Sequence, residues 1–114
     1  MPFDPELDNR LSATLKGRKG FERKKMFGGT GYMLNGNMCV GVYKEFLILR
    51  LGPEKYAELS AKYDDLRPMD ITGKPMKGWG MIDAAACDPL EFDELVSASE
   101  AFVRTLPGKN FKHD

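Results

Sequence analysis

The chain has 114 residues, of which 42% are hydrophobic and 30% charged, and its 17 basic and 17 acidic side chains give a formal net charge of zero. This length and composition suit one soluble globular domain, so we expect a single domain over residues 1–114. A balanced charge argues against a protein whose whole surface binds nucleic acid. No apolar run approaches the ~20 residues that cross a bilayer, and no signal segment is visible, so we expect a cytoplasmic protein without a membrane partner.

The first predicted element is an N-terminal helix from Asp4 to about Lys19. Leu7, Leu11 and Leu15 recur at intervals of four residues and therefore lie on one face. Acidic residues near the start and basic residues near the end suit the helix dipole. Gly20 is expected to close the helix.

A three-stranded antiparallel meander is predicted next. Asn35-Gly36 is the dipeptide that a two-residue type I′ turn requires, because both central residues need a positive φ. A second tight turn at Lys44-Glu45 then leads into the β-prone segment FLILRL.

Pairing of Leu34 with Asn37 across the first turn would sort the side chains between two faces, since strands alternate with period two. The predicted core face carries Met38, Val40, Val42, Leu47, Leu49 and Leu51. Gly29 and Gly31 fall on this face opposite Val42 and Val40, where we interpret them as gaps that let a helix approach the sheet. The other face carries Tyr32, Cys39, Tyr43, Phe46, Ile48 and Arg50. We expect Tyr32, Tyr43, Phe46 and Ile48 to form an interface with a protein partner, including a second copy in a homodimer.

The remaining elements are a helix, a hairpin and a long helix. The second helix begins with Pro53 at its first position. A second β-hairpin turns at Thr72-Gly73-Lys74 and places Trp79 and Met81 on one face. The C-terminal helix begins at an Asp88 cap with Glu91 in a capping box, and the tail 108–114 is expected to be flexible. The predicted fold class is therefore α+β.

The glycine-rich stretch could also be a phosphate-binding loop, but its spacing fits neither nucleotide fingerprint. A nest of backbone amides at Gly28 and Gly29 remains as an alternative anion site. The basic residues that would accompany it in a small-molecule or anion-binding protein, or in an unrecognised enzyme, are Lys25, Arg50, Arg67 and Lys77.

Residues that carry enzyme chemistry are scarce. The only histidine, His113, lies one residue from the C-terminus. Cys39 and Cys87 lack a CxxC spacing and are expected to be reduced, packed thiols. Because no metal-ligand spacing is visible either, we expect a protein that is not an enzyme and has no cofactor or metal.

One basic cluster stands out, namely Arg18, Lys19, Arg23, Lys24 and Lys25. These side chains could bind phosphates, which makes a nucleic-acid-associated regulator the second hypothesis. The other interpretation is that they end a helix and protect an exposed strand from edge pairing.

Three segments occur in the order RKKMFGGTGYMLNGNMCVGV, LILRLGP and RPMDITGKPMKGWGMI. Together they resemble the TfoX N-terminal domain family, which includes the competence regulators TfoX and Sxy. The resemblance spans about Leu11 to Leu106. It implies an antiparallel sheet backed by helices, in a two-layer arrangement like that of secretion chaperones. It also implies a role in transcriptional regulation of DNA uptake, with no catalytic residues to carry over.

Competence regulators have a second, C-terminal domain, which we expect this chain to lack. The leading hypothesis is a non-enzymatic module that acts through protein–protein contacts.

Overall fold

The computed structural model describes residues 4–26, 28–69 and 76–107. Within them lie three helices and six strands, so the predicted α+β class is confirmed. The helices are α1 (Pro5–Leu15), α2 (Pro53–Lys62) and α3 (Pro89–Arg104), and the strands are β1 (Phe21–Met26), β2 (Gly29–Leu34), β3 (Asn37–Tyr43), β4 (Phe46–Arg50), β5 (Arg67–Met69) and β6 (Met76–Asp83).

The strands form one antiparallel sheet in the order β1-β2-β3-β4-β6-β5. The meander therefore has four strands rather than the predicted three, because β1 precedes it. Alternation of apolar and polar residues does not reveal β1, since four of its six residues are charged. The interpretation of the basic cluster as the start of an exposed strand agrees with the position of β1 at the edge of the sheet.

The helices all pack on one face of the sheet, which we call the helix face. Their buried residues form a single core with alternate residues of the strands, and the core includes Leu11, Leu59, Phe92, Leu95, Val40, Val42, Leu47, Leu49 and Ile82. The opposite face, which we call the outer face, carries no helix among the described residues. A two-layer arrangement was predicted and is observed.

The turn at Asn35-Gly36 is confirmed, with positive φ at both residues and Leu34 paired with Asn37. A β-bulge follows at once, because Met33 pairs with Met38 whereas Tyr32 pairs with Val40, which leaves Cys39 as the extra residue. The bulge shifts every later pair by one position.

The predicted pairs of Gly31 with Val40 and Gly29 with Val42 are therefore wrong. Gly31 pairs with Gly41, and Thr30 takes the place opposite Val42. The two β2 glycines consequently lie on the outer face and do not admit a helix. A Cβ atom on Gly29 would lie 2.0 Å from the carbonyl oxygen of Val42, so this glycine permits a close approach of the β2 and β3 backbones instead.

The ends of the helices agree in part with prediction. α1 ends at Leu15, four residues before the predicted Lys19. α3 begins as predicted, with Asp88 and Glu91 forming a reciprocal capping box. The predicted turn at Thr72-Gly73-Lys74 and the tail 108–114 lie outside the described residues. None of the helices in the described ranges is long and apolar enough to cross a membrane.

Candidate functional site

A second hydrophobic cluster lies on the outer face, separate from the main core. We call it the outer patch, and it consists of Met38, Tyr43, Phe46, Ile48, Met69, Trp79 and Met81. Ile48, Met69 and Met81 are 2–4% exposed and form its floor, whereas the other four members are only partly buried. The patch spans four strands, because β3, β4, β6 and β5 are consecutive in the sheet.

Cationic side chains stand over the three aromatic rings of the outer patch. The Arg67 guanidinium lies 4.8 Å from the centroid of the Phe46 ring, and the Arg50 guanidinium lies 5.2 Å from the Trp79 ring. The Lys44 ammonium lies 5.5 Å from the Tyr43 ring. Distances below about 6 Å give attraction between a cation and the ring quadrupole. The charged side chains over these rings are therefore all cationic, and Asp83, which pairs with Phe46, is an acidic residue on the same face.

The residue types of the outer patch are those enriched at protein interfaces. Tyrosine, tryptophan, phenylalanine, methionine and arginine dominate the centres of such interfaces, and tryptophan, tyrosine and arginine are frequent among the residues that carry the binding free energy. Here all five types meet on one surface of a sheet that has no helix over it in the described part of the chain. This arrangement is chemically suited to binding another macromolecule.

Sequence reasoning found only part of this surface. Tyr43, Phe46 and Ile48 lie on the outer face as predicted. The predicted placement of Met38 on the core face is wrong, because the bulge at Cys39 puts Met38 and Val40 on opposite faces. The contributions of Met69, Trp79 and Met81 could not be predicted, because the pairing of β6 with β4 is not visible in the sequence. The shared face of Trp79 and Met81 was the available signal.

The predicted placement of Tyr32 and Cys39 on the outer face is wrong. The bulge turns both side chains into the main core, where Tyr32 is 5% and Cys39 0% exposed. Burial raises the pKa of the Cys39 thiol to about 12 and that of Cys87 to about 11. Both thiols are thus protonated at neutral pH and are poor nucleophiles.

Tyr32 instead belongs to a buried polar cluster around Asp8 on α1. The Asp8 carboxylate accepts hydrogen bonds from the Tyr32 hydroxyl at 2.8 Å, from the Thr30 hydroxyl at 2.9 Å and from Arg23 Nη2 at 2.8 Å and Nε at 3.1 Å. Burial raises the pKa of Asp8, but the hydrogen bonds from Arg23, Tyr32 and Thr30 outweigh it and hold the pKa below its ordinary value. In the sequence, Asp8 is only one of the acidic residues near the start of α1 that suit the helix dipole. Its partners are 15 to 24 positions away, so no local signal identifies them.

The basic cluster predicted from the sequence is divided between two faces and several acidic partners. Arg18 forms ion pairs with Asp93 at 2.8 Å and Glu100 at 2.6 Å, both on α3. Arg23 is held by Asp8, on the helix face, as described above.

The three lysines of the cluster are exposed. Lys24 pairs with Gly31, so it lies on the outer-face side of β1, and Lys25 pairs with Thr30 on the helix-face side. Lys19 precedes β1. The structure therefore does not gather these five residues into one phosphate-binding surface, and the nucleic-acid hypothesis stays a prediction.

The residues of the predicted anion site are also separated. Gly28 has a φ of 74° and connects β1 to β2, and Gly29 is already paired in the ladder. Arg67 lies in β5, at the opposite edge of the sheet. Arg50 in β4 and Lys77 in β6 lie between these edges. Among the described residues, the β1–β2 connection and Arg67 therefore lie near opposite edges of the sheet.

Comparisons with known proteins identify one family. The family model of the TfoX N-terminal domain matches residues 13–103, which is most of the chain. No curated protein and no solved structure matches the chain. The predicted likeness to secretion chaperones therefore rests on the family resemblance alone.

Proposed function

Because the chain belongs to the TfoX N-terminal domain family, we propose that it is a non-enzymatic module that regulates transcription by binding a protein partner through the outer patch. The observation that carries this proposal is the position of the patch. A large apolar and aromatic surface lies on the face of the sheet that bears no helix within the described residues. Antiparallel sheets commonly leave one face to solvent, but that face is then polar, with alternating apolar and polar residues along each strand. Here it is rich in methionine and aromatic residues.

The proposed partner presents carboxylates around an apolar segment. Arg50, Arg67 and Lys44 lie over the rings of the patch and would meet these carboxylates. A second copy bound face to face would bring the same three cations against one another, which opposes association. An acidic partner is thus favoured over a homodimer.

The proposed absence of catalysis is supported by the chemistry of the thiols. Both cysteines have raised pKa values and are buried. Neither has the partial exposure and thiolate character of a reactive cysteine.

The first experiment identifies the partner. A photoreactive phenylalanine analogue replaces Phe46 in the cells from which the protein comes, and the same analogue replaces Leu90 as the control. Leu90 is an exposed large hydrophobic residue, 82% exposed, and lies on α3 away from the outer face. The proposal predicts one dominant adduct with an acidic protein from position 46 and none from position 90.

The second experiment measures affinity with the purified partner. Phe46→Ser should weaken binding by about 30-fold, since truncation of a central interface residue costs about 2 kcal/mol. Leu90→Ser should leave the affinity unchanged. Raising the salt concentration should weaken binding, because the contact is between opposite charges.

Two results would reject this assignment. One is equal binding by Phe46→Ser and the parent protein. The other is a concentration-dependent dimer in sedimentation that Phe46→Ser converts to a monomer, since the occupant of the patch would then be a second copy of the chain.

A further inference from the structure

A cleft of about 480 Å³ lies on the helix face, between α1 and the edge strand β1. It exists because α1 packs against β3 while β1 lies two strands further out, at the edge of the sheet. One wall consists of Asn9, Ser12 and Ala13 of α1 and of Lys16, the C-cap of that helix. These residues lie on one face of the helix because they are three, four and seven positions apart. This volume falls within the range of small-molecule sites, but the cleft is wide open to solvent rather than enclosed.

The charges that line the cleft all have the same sign. Lys16, Arg18 and Arg23 are lining residues, and none of the lining residues is acidic. Lining cations favour an anionic occupant, and the carboxylates that are ion-paired with the two arginines reduce this preference.

The two arginines of the cleft are held in place from behind. Asp8 accepts from Nε and Nη2 of Arg23 and so leaves the Nη1 donors of this guanidinium outside that contact. Arg18 is held at every nitrogen of its guanidinium, because Nε donates to the Thr14 carbonyl, Nη1 to Glu100 and the Ser97 hydroxyl, and Nη2 to Asp93. These acids reduce the net field of the arginines, but they also fix the direction of their donors, which lowers the entropy that binding would cost. Lys16 is exposed at the rim.

The inner side of the cleft is aromatic. Phe21 packs against the main core, and the ring of Tyr32 is buried with its hydroxyl donated to Asp8. Ala13 opposes them from α1 with a small side chain. A flat apolar group can therefore lie between helix and strand, with Asn9 and Ser12 available as hydrogen-bonding groups at the opening.

We infer that this cleft binds a small organic anion that carries a planar apolar group. The anionic end lies toward Lys16 and Arg23, and the planar group lies against Phe21 and Tyr32. The site is on the opposite side of the sheet from the outer patch, so it is a function additional to partner binding and stands or falls independently.

Three probes separate the contribution of the negative charge from that of the planar apolar group, namely 1-naphthoate, its neutral analogue 1-naphthamide, and acetate. Each is titrated into the ¹⁵N-labelled protein and followed by amide chemical shifts. Naphthoate should shift the amides of Ser12, Arg23 and Tyr32 and should bind at least about tenfold more tightly than either other probe, as expected for a hydrogen-bonded charge.

Paired variants test the position of the site. Ala13→Trp fills the cleft and should abolish naphthoate binding, whereas Ala57→Trp, at an exposed position on α2, should bind like the parent protein. Lys16→Gln should weaken binding roughly two- to fivefold, as expected for one exposed charge. Its control, Lys77→Gln, lies on β6 and should have no effect.

The inference is overturned if naphthoate does not bind at millimolar concentration or if its shifts map away from α1 and β1. If naphthamide binds as tightly as naphthoate, the site does not require a negative charge on its ligand. If acetate binds as tightly as naphthoate, the site does not require a planar apolar group. If Ala13→Trp does not fold, the comparison of Lys16→Gln with Lys77→Gln decides the matter, and equal affinities then reject the site.

Discussion

Replacement of Asp8 by asparagine tests how α1 is attached to the sheet. In the parent protein one carboxylate oxygen accepts from the hydroxyls of Thr30 and Tyr32, and the other accepts twice from Arg23. An asparagine keeps one carbonyl oxygen, which can serve the two hydroxyls. Its amide group would then face the donors of Arg23 and would repel them.

The cost follows from the exposure of each partner. Asp8 is 8% exposed, so the weakening of bonds to a buried charged acceptor costs about 2 kcal/mol. The Arg23 side chain is 41% exposed and can turn toward water, so loss of its ion pair adds only about 0–1 kcal/mol. We expect Asp8→Asn to lower the free energy of unfolding by about 2–3 kcal/mol at pH 7.

The pH dependence gives a second, sharper test. The pKa of Asp8 is lower in the folded state than in the unfolded state, where it is about 3.9. The ionised Asp8 side chain therefore makes its full contribution to the free energy of unfolding above the pKa that it has in the unfolded state. This contribution is lost as the pH falls through the pKa that it has in the folded state. The stability gap between the parent protein and Asp8→Asn should narrow from pH 7 to pH 3, because the other carboxylates titrate alike in both proteins.

Urea unfolding at pH 7 and pH 3, followed by the fluorescence of the single tryptophan, Trp79, measures this gap. Asp64→Asn, at an exposed position, is the control and should match the parent protein at both pH values to within about 0.5 kcal/mol. A gap for Asp8→Asn below about 0.5 kcal/mol at pH 7, or one that stays constant on acidification, would refute the assigned role.

Three further predictions concern packing and the thiols. Gly29→Ala should lower the free energy of unfolding in urea by about 3 kcal/mol, because the new Cβ meets a backbone carbonyl. Gly17→Ala, at a position with a positive φ but open space, should lower it by about 1 kcal/mol. Equal losses would contradict the close approach of β2 and β3. Ser99→Ala should raise the unfolding free energy by about 1 kcal/mol, since the buried Ser99 hydroxyl has no hydrogen-bond partner among the described residues. A loss of stability would show that the hydroxyl does have a hydrogen-bond partner. Cys39 and Cys87 should react with a thiol reagent at pH 8 more than about 100-fold faster in urea than in the native protein, and fast native reaction would contradict their raised pKa values.

Local signals in the sequence predicted the elements well. Asn35-Gly36 forms the turn because few other pairs accept a positive φ at both positions. Asp88 and Glu91 cap α3 because their partners are only three residues apart. In both cases the physical cause lies within a few residues, so a single sequence contains it.

Side-chain placement could not be predicted where one residue changes the register. The bulge at Cys39 exchanges the faces of β2, which moves Tyr32 into the core and the glycines outward. The sequence gives no sign of a bulge, because the apolar residues on both sides of it would satisfy either register. The expected interface consequently contained one residue that is part of the core.

The roles of the basic residues depend on contacts that are distant in the chain. Arg18 finds its partners Asp93 and Glu100 at separations of 75 and 82 residues. A run of cations in a sequence cannot show that two of its members are already paired. The outer patch was likewise only half visible, since it requires β6 to pair with β4.

A methyl NMR titration with the partner identified at Phe46 tests most directly whether the outer patch is the binding surface. Met38, Met69, Met81 and Ile48 place methyl groups in the outer patch, whereas Ile82, 1% exposed, lies in the core on the helix face. If the outer patch is the binding surface, the partner should shift or broaden the methyl signals of the outer patch and leave that of Ile82 in place. Unchanged methionine signals in the presence of saturating partner, or shifts confined to methyl groups of the helix face, would contradict it.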